Sequence, residues 1–154
     1  MSSDKKTGSD MTPQPAVVKS VDITASSIEV WRALTEPEKI KQWMAGAHAE
    51  STWELGSDII FSGTMPNFNI PYQDRGTILA VERERLLQYN LWSQASRRPD
   101  LPQNRTVVTF TLEWTGGQTR LSIHHEGFHS ESEYKHANFF WTVAPEMIRK
   151  LVER

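Results

Sequence analysis

The segment from residue 106 to 128, TVVTFTLEWTGGQTRLSIHHEGF, constrains the fold more than any other part of the chain. Apolar residues alternate with polar ones on both sides of Gly116 and Gly117, which is the period of two typical of strands with one buried face. The positions that share one face are Val108, Phe110, Leu112 and Trp114 in the first run and Leu121, Ile123 and the polar His125 in the second. The two glycines allow a tight reversal. The segment therefore predicts a long aromatic hairpin that forms the wall of a cavity.

Composition is that of a globular protein with one sizeable core. The chain has 154 residues, of which 38% are hydrophobic and 23% charged, as in ordinary soluble domains. A net charge of −2 with dispersed signs argues against nucleic-acid binding. No apolar run approaches the roughly 20 residues of a membrane span, so no membrane insertion is expected. The absence of cysteine excludes disulfides, thiolate nucleophiles and cysteine-ligated metals.

The N-terminal residues differ from the rest of the chain. Residues 1–15 carry lysines but no apolar segment, which is unlike a signal peptide. We interpret them as a disordered tail, followed by a single domain at 16–154 and a cytoplasmic location.

Shorter patterns predict the other elements. A first strand covers 17–23, and Ser26 with Glu29 forms a capping box that starts a short helix. Thr35 with Glu38 forms a second box, with Pro37 in the first turn of the next helix. Further strands are predicted at 49–53, 59–61, 76–82 and 86–93, with irregular loops at 65–74 and 94–104, and a helix at 134–154 that bends or restarts at Pro145. This order predicts an α+β fold with helices on one face of an antiparallel sheet.

Five motifs in this order resemble one family. They are VWRALTEPEKIKQWMAG, WELGSDIIFSG, GTILAVERERLLQYNLW, the hairpin above and FFWTVAPEMIRKLVE. Together they are similar to the activator of heat-shock-protein-90 ATPase homologue family of the START-like (SRPBCC) superfamily. The resemblance implies a helix-grip fold, in which a curved seven-stranded antiparallel sheet wraps a long C-terminal helix around an apolar cavity. The superfamily includes lipid-transfer domains, polyketide cyclases and cochaperone domains, so the fold does not fix the function.

The expected cavity lies between the sheet and the C-terminal helix, with an entrance between the loops at 65–75 and 93–105. Its predicted ligand-binding residues are Trp43, Trp53, Phe61, Tyr89, Leu91, Phe110, Leu112, Ile123, His125, Phe140, Trp141, Ala144 and Ile148. Most are apolar, as in small-molecule sites generally. The alternative is a filled core that leaves no room for a ligand.

Tyr89 and His125 are the polar candidates in this set. Both alternate in phase with apolar neighbours, so a phenol and an imidazole are predicted to point inward and to orient a ligand or move a proton. The alternative for each is a core residue satisfied by the protein. His124 and His125 face opposite sides of one strand and cannot share a metal. No spacing typical of a metal site, a nucleophilic serine or a phosphate-binding loop occurs, so we expect no catalytic set, metal or cofactor.

Three functions remain open from the sequence. The first is binding of a small hydrophobic or aromatic molecule, either a lipid or a polyketide-like metabolite. The second is a cyclase or dehydratase that uses His125 as an acid–base group. The third is a cochaperone-like interaction domain whose partner is a chaperone or another protein, contacted through an exposed patch rather than the cavity.

Overall fold

The computed structural model describes residues 13–65 and 68–154. Its elements are β1 (Val17–Ile23), α1 (Ser27–Thr35), α2 (Pro37–Trp43), β2 (His48–Ser51), β3 (Asp58–Met65), β4 (Ile70–Glu82), β5 (Leu86–Leu91), β6 (Thr106–Trp114), β7 (Thr119–Glu126) and α3 (Glu131–Glu153). The strands form one antiparallel sheet in the order β1-β7-β6-β5-β4-β3-β2. This confirms the predicted α+β helix-grip fold. Residues 1–12 of the predicted tail lie outside the described residues.

The starts of the first two helices differ in how they are capped. At α1, the Ser26 hydroxyl accepts from the Glu29 amide at 3.4 Å and the Glu29 carboxylate accepts in return, so the first capping box is confirmed. The second box is wrong. The N-cap of α2 is Glu36, without a side-chain cap, and the Thr35 hydroxyl donates to the Trp31 carbonyl at 2.9 Å. Thr35 still belongs to α1, so it bonds back within its own helix.

The predicted loop at 65–74 is largely strand. β3 continues to Met65 and β4 begins at Ile70, and the two pair directly from Asp58–Thr77 to Met65–Ile70. Prolines in this stretch suggested an irregular connection, but the backbone is extended up to Met65 and again from Ile70. The sheet therefore gains a long β3–β4 hairpin on one side.

The core lies between the inner face of the sheet and α3. Trp141, Ala144 and Ile148 of α3 are buried against it. The helix runs as one element through Pro145, and the Glu153 carboxylate near its end accepts from the Thr24 amide at 2.8 Å. Trp114, predicted on the buried face, is 54% exposed because it lies at the last position of β6, beyond the cover of the helices.

We call one end of the sheet the open end. Several contacts between loops join its parts. It comprises the paired ends of β3 and β4 at Met65 and Ile70, residues 92–105 and residues 127–130, which lie nearest to the start of α3. The Arg98 guanidinium donates to the Glu133 carboxylate of α3, and the His129 ring nitrogen Nε2 lies 2.8 Å from the Gln103 carbonyl oxygen. The 94–104 segment was predicted as an irregular loop, yet it contains two short 3₁₀ turns and is tied to the helix.

Candidate functional site

A row of aromatic rings crosses the interior from β3 to the helices. The ring centroids of Phe61 and Tyr89 are 5.8 Å apart, those of Tyr89 and Phe110 are 6.0 Å apart, and those of Phe110 and Trp141 are 5.7 Å apart. Trp43 of α2 continues the row at 6.2 Å from Trp141. These are the distances of packed aromatic pairs. The rings predicted to line a cavity therefore contact one another across the centre of the core.

Tyr89 stands in the middle of this row with a free polar group. Its side chain is 3% exposed, and burial raises the pKa of its phenol, so the hydroxyl keeps its proton. No described residue makes a hydrogen bond with that hydroxyl. Among the described residues, no fully enclosed side-chain nitrogen or oxygen lacks a partner. The Tyr89 oxygen must therefore keep some contact with space that water can enter, and it has a donor and acceptor to offer there.

His125 differs from Tyr89 because both of its ring nitrogens are used. The Trp141 indole donates to Nδ1 at 3.0 Å, and Nε2 lies 2.8 Å from the Thr106 hydroxyl. An indole can only donate, so Nδ1 is the acceptor and the neutral ring carries its proton on Nε2. Burial, with a smaller effect of the neighbouring His124, lowers the pKa of His125 to about 4. The imidazole is therefore neutral and internally satisfied.

The inner face of the β3–β4 hairpin continues beyond the aromatic row toward the open end. Directly paired residues of antiparallel strands share a face, so Asp74 lies beside Phe61 and Tyr72 lies beside Gly63. A Cβ atom on Gly63 would come within 3.0 Å of the Tyr72 ring, which shows that this ring lies across the glycine. Met65 and Ile70 end the hairpin with 38% and 51% of their surfaces exposed. The hairpin thus presents an apolar inner surface that the described core leaves uncovered.

Asp74 is the acidic group on this surface. Its carboxylate accepts from the Gln94 amide at 3.0 Å and from the Ser93 side chain, yet burial outweighs these bonds and raises its pKa. Burial and the Asp74 charge also raise the pKa of Tyr72. Neither group was singled out from the sequence, because both fell in the segment predicted as a loop.

Two clefts open elsewhere, at the end of the sheet opposite the open end. One, of about 750 Å³, lies over the β4–β5 turn and includes Leu112 and Trp114 in its wall. The other, of about 400 Å³, lies between the ends of α1, β2 and β4 and includes Trp31 and Trp53. Neither includes a ring of the aromatic row.

Comparison with known proteins agrees with this architecture. The family model described as "Activator of Hsp90 ATPase homolog 1-like protein" matches residues 24–153. The chain belongs to this family. Family and fold together support a ligand-binding domain in general, without naming a ligand. No curated protein matches the chain.

Solved structures of similar proteins include members from several bacteria. ChR145 from Cytophaga hutchinsonii is 33% identical, with 93% of this chain and 97% of that chain covered and a TM-score of 0.77. Protein MLL2253 from Mesorhizobium loti is 26% identical, with 91% and 98% covered and a TM-score of 0.73. The Aha1 dimer from Colwellia psychrerythraea is 17% identical, with 91% and 97% covered and a TM-score of 0.70. The last of these shows the fold alone.

In this family member the predicted site residues separate into three groups. The interior group comprises Trp43, Phe61, Tyr89, Phe110, Phe140 and Trp141, with Ile123, Ala144 and Ile148 buried around them. Leu91 and His125 lie toward the open end. Leu112 is buried in the same core and Trp53 packs against it, and each also lines one of the two clefts at the opposite end.

The sequence did not point to two residues that contact the His125 ring, Thr106 and Phe128. Thr106 is the partner of the His125 ring, and Phe128 packs on that ring with centroids 4.7 Å apart. Thr106 falls in phase with the buried positions of its strand, so the alternation could have identified it.

In residues 13–65 and 68–154, no three histidine, aspartate or glutamate side chains are placed to hold a metal ion. Across the same residues, no helix is long and apolar enough to cross a membrane.

Proposed function

We propose that this domain binds a small hydrophobic or aromatic molecule, a lipid or polyketide-like compound, between the sheet and α3. The observation that carries the proposal is the Tyr89 hydroxyl, which is buried among aromatic rings and has no hydrogen-bond partner among the described residues. This hydroxyl borders space that water can enter, so a ligand with a carbonyl or hydroxyl group would find a hydrogen-bond donor and acceptor there.

The uncovered inner surface of the β3–β4 hairpin supports the position of this ligand. The aromatic row occupies the centre of the core, so the ligand would lie on the hairpin side of it, between Tyr89 and the open end. From Phe61 to Met65 the strand extends by about 13 Å at ~3.3 Å per residue, which is the length of a two- or three-ring system. Covering Met65 and Ile70 would remove apolar surface from water and supply affinity. Phe61, Tyr89 and Leu91 would contact the ligand, whereas the other predicted residues pack the core or, like His125, are satisfied within the protein.

The test uses two probes that differ by one hydroxyl group, 1-naphthol and naphthalene. In the wild-type protein, Tyr89 should favour 1-naphthol, and Tyr89→Phe should weaken its binding about 5- to 10-fold, as expected for one hydrogen bond. The affinity for naphthalene should stay the same. Tyr134→Phe, on α3, serves as the matched control.

The outcomes separate the hypotheses. If Tyr89→Phe leaves 1-naphthol binding unchanged, the orienting role of Tyr89 is wrong. If neither probe binds and native mass spectrometry of freshly purified protein finds no retained molecule, the small-molecule function is wrong.

A cochaperone-like interaction is the second candidate, and α3 offers a surface for it. Phe139, Val143 and Met147 are spaced by four residues and are 71%, 42% and 40% exposed, so they form one apolar stripe on the outside of the helix. The family description names activation of the Hsp90 ATPase. Binding to Hsp90 that is lost in Phe139→Ser and survives in Tyr89→Phe would favour this function.

The cyclase or dehydratase alternative has less support, because His125 would have to break a protein hydrogen bond before it could move a proton. Full turnover in a His125→Ala variant would exclude that residue as the acid–base group. The cytoplasmic location stays a prediction.

A further inference from the structure

The cleft between the ends of α1, β2 and β4 contains a second unpartnered donor. Its walls include Trp31 and Trp53, with Glu36 and Arg83 among the surrounding residues. It lies at the end of the sheet opposite the open end, so it is separate from the site around Tyr89. Its volume of about 400 Å³ falls within the range of small-molecule sites.

Trp31 supplies the buried donor, while the indole N–H of the half-buried Trp53 also has no acceptor among the described residues. Three other tryptophans use their indole N–H groups within the protein, since Trp43 donates to the Ala33 carbonyl, Trp92 to the Arg98 carbonyl and Trp141 to His125. Trp31 is only 6% exposed, and none of the described residues accepts from its indole N–H. Every fully enclosed side-chain nitrogen or oxygen in the described chain has a partner. The Trp31 N–H therefore keeps contact with space that water can enter, and Trp31 is one of the residues that line this cleft.

Trp53 forms another part of the wall from a strained backbone. Its φ of +61° lies in the left-handed region, which is unfavourable for a bulky side chain. The Trp53 amide donates to the Ser51 hydroxyl at 3.0 Å, and this hydroxyl lies 3.3 Å from that of Ser57. These contacts hold the strained turn that brings Trp53 to the cleft. Such outliers are often retained at binding sites.

We propose that this cleft binds a small, planar, uncharged ring that carries a hydrogen-bond acceptor. The Trp31 indole would donate to the acceptor, and the tryptophan rings would contact the ligand's apolar faces. Glu36 and Arg83 place both signs of charge beside the cleft, which favours a neutral ligand over an anion or a cation.

Two probes of the same shape test the donor directly. Acetophenone carries a carbonyl group, and α-methylstyrene has a carbon–carbon double bond in its place. Acetophenone should bind at least about 5-fold more tightly and should shift the Trp31 indole N–H resonance in a ¹⁵N-labelled protein. Trp31→Phe should abolish the preference between the probes. Trp114→Phe, a surface tryptophan outside this cleft, should leave it unchanged.

Tyr89→Phe distinguishes this site from the one around the aromatic row, because the acetophenone-induced shift at Trp31 should persist in that variant. The proposal is overturned if acetophenone leaves the Trp31 resonance in place, or if Trp31→Phe keeps the preference for acetophenone. If Trp31→Phe does not fold, the wild-type resonance decides alone.

Discussion

The indole nitrogen of Trp141 lies 3.0 Å from Nδ1 of His125, and this contact fixes which imidazole nitrogen carries the proton. Nε2 of His125 then donates to the Thr106 hydroxyl, and that hydroxyl donates to the Leu91 carbonyl. A line of three hydrogen bonds therefore joins α3 to β7, β6 and β5. The line depends on a neutral His125, because protonation of Nδ1 would remove its first acceptor.

The free energy of unfolding should fall as the pH is lowered through the range in which His125 takes up a proton. Burial holds the pKa of His125 at about 4 in the folded protein, against about 6.5 in the unfolded chain. Between these values the unfolded chain takes up a proton that the folded protein does not. The stabilisation is thus complete above pH ~6.5, is lost as the pH falls toward ~4, and amounts to about 3 kcal/mol.

Urea unfolding at a series of pH values between 7.5 and 4 would measure this loss. His125→Gln should remove that part of the pH dependence, whereas His48→Gln, at an exposed position on β2, should retain it. Equal pH profiles for wild type and His125→Gln would contradict the assignment.

Thr106→Val should destabilise the protein although it hardly changes the side-chain volume. The valine cannot accept from Nε2 of His125, and leaving a buried donor without a partner costs about 1–3 kcal/mol. Thr111→Val, on the exposed side of the same strand, is the matched control and should change the free energy of unfolding by less than about 0.5 kcal/mol. Similar losses in the two variants would show that the Thr106 hydroxyl has no special role.

The sequence correctly predicted those strands whose hydrophobic periodicity matches their burial in the fold. Val17–Ile23 was predicted with the bounds that the structure gives, and the β6–β7 hairpin turns at Gly116 and Gly117 as expected. In these strands one face is buried along its length, so the alternation of residue types records the environment directly. The β3–β4 hairpin lacks this signal because its inner face runs beyond the core, where apolar residues are partly exposed and prolines resemble loop residues.

The inward-facing residues of the candidate site could be predicted from the sequence, but the contacts that these residues make could not. Alternation correctly placed Tyr89 and His125 toward the interior, yet it could not show that His125 has two protein partners while Tyr89 has none. Those facts depend on Trp141, 16 residues from His125, and on the packing of the rings. The strand predicted at 49–53 ends earlier, at Ser51, and Trp53 has a left-handed backbone; periodicity could not show this because it assumes that the strand continues.

Gly76→Ala should be among the most destabilising glycine substitutions. A Cβ atom at this position would lie 1.8 Å from the Asn90 carbonyl oxygen, and a paired strand cannot yield without losing hydrogen bonds. We expect a loss at or above the ~3 kcal/mol upper end of ordinary overpacking. Gly63→Ala is the matched control on β3, since its Cβ would meet only the Tyr72 ring at 3.0 Å. Chemical denaturation of both variants checks the order, and a larger loss for Gly63→Ala would contradict it.

The ion pair between Arg98 and Glu133 should control the exchange of the 94–104 segment with solvent. The Glu133 carboxylate accepts from Arg98 and from the His129 amide, the latter at 3.0 Å, and both partners of the ion pair are about three-quarters or more buried. Glu133→Gln removes the charge, and we expect a cost of about 1–2 kcal/mol, between that of a surface pair and that of a buried one. Because the change releases the segment from α3, its backbone amides should exchange hydrogen for deuterium faster, with smaller changes in β6 and β7. Glu131→Gln, two residues earlier and paired with Lys135 at the surface, should leave these rates unchanged. If Glu133→Gln also left them unchanged, the contacts of residues 99–105 with one another would be sufficient to hold the segment in place.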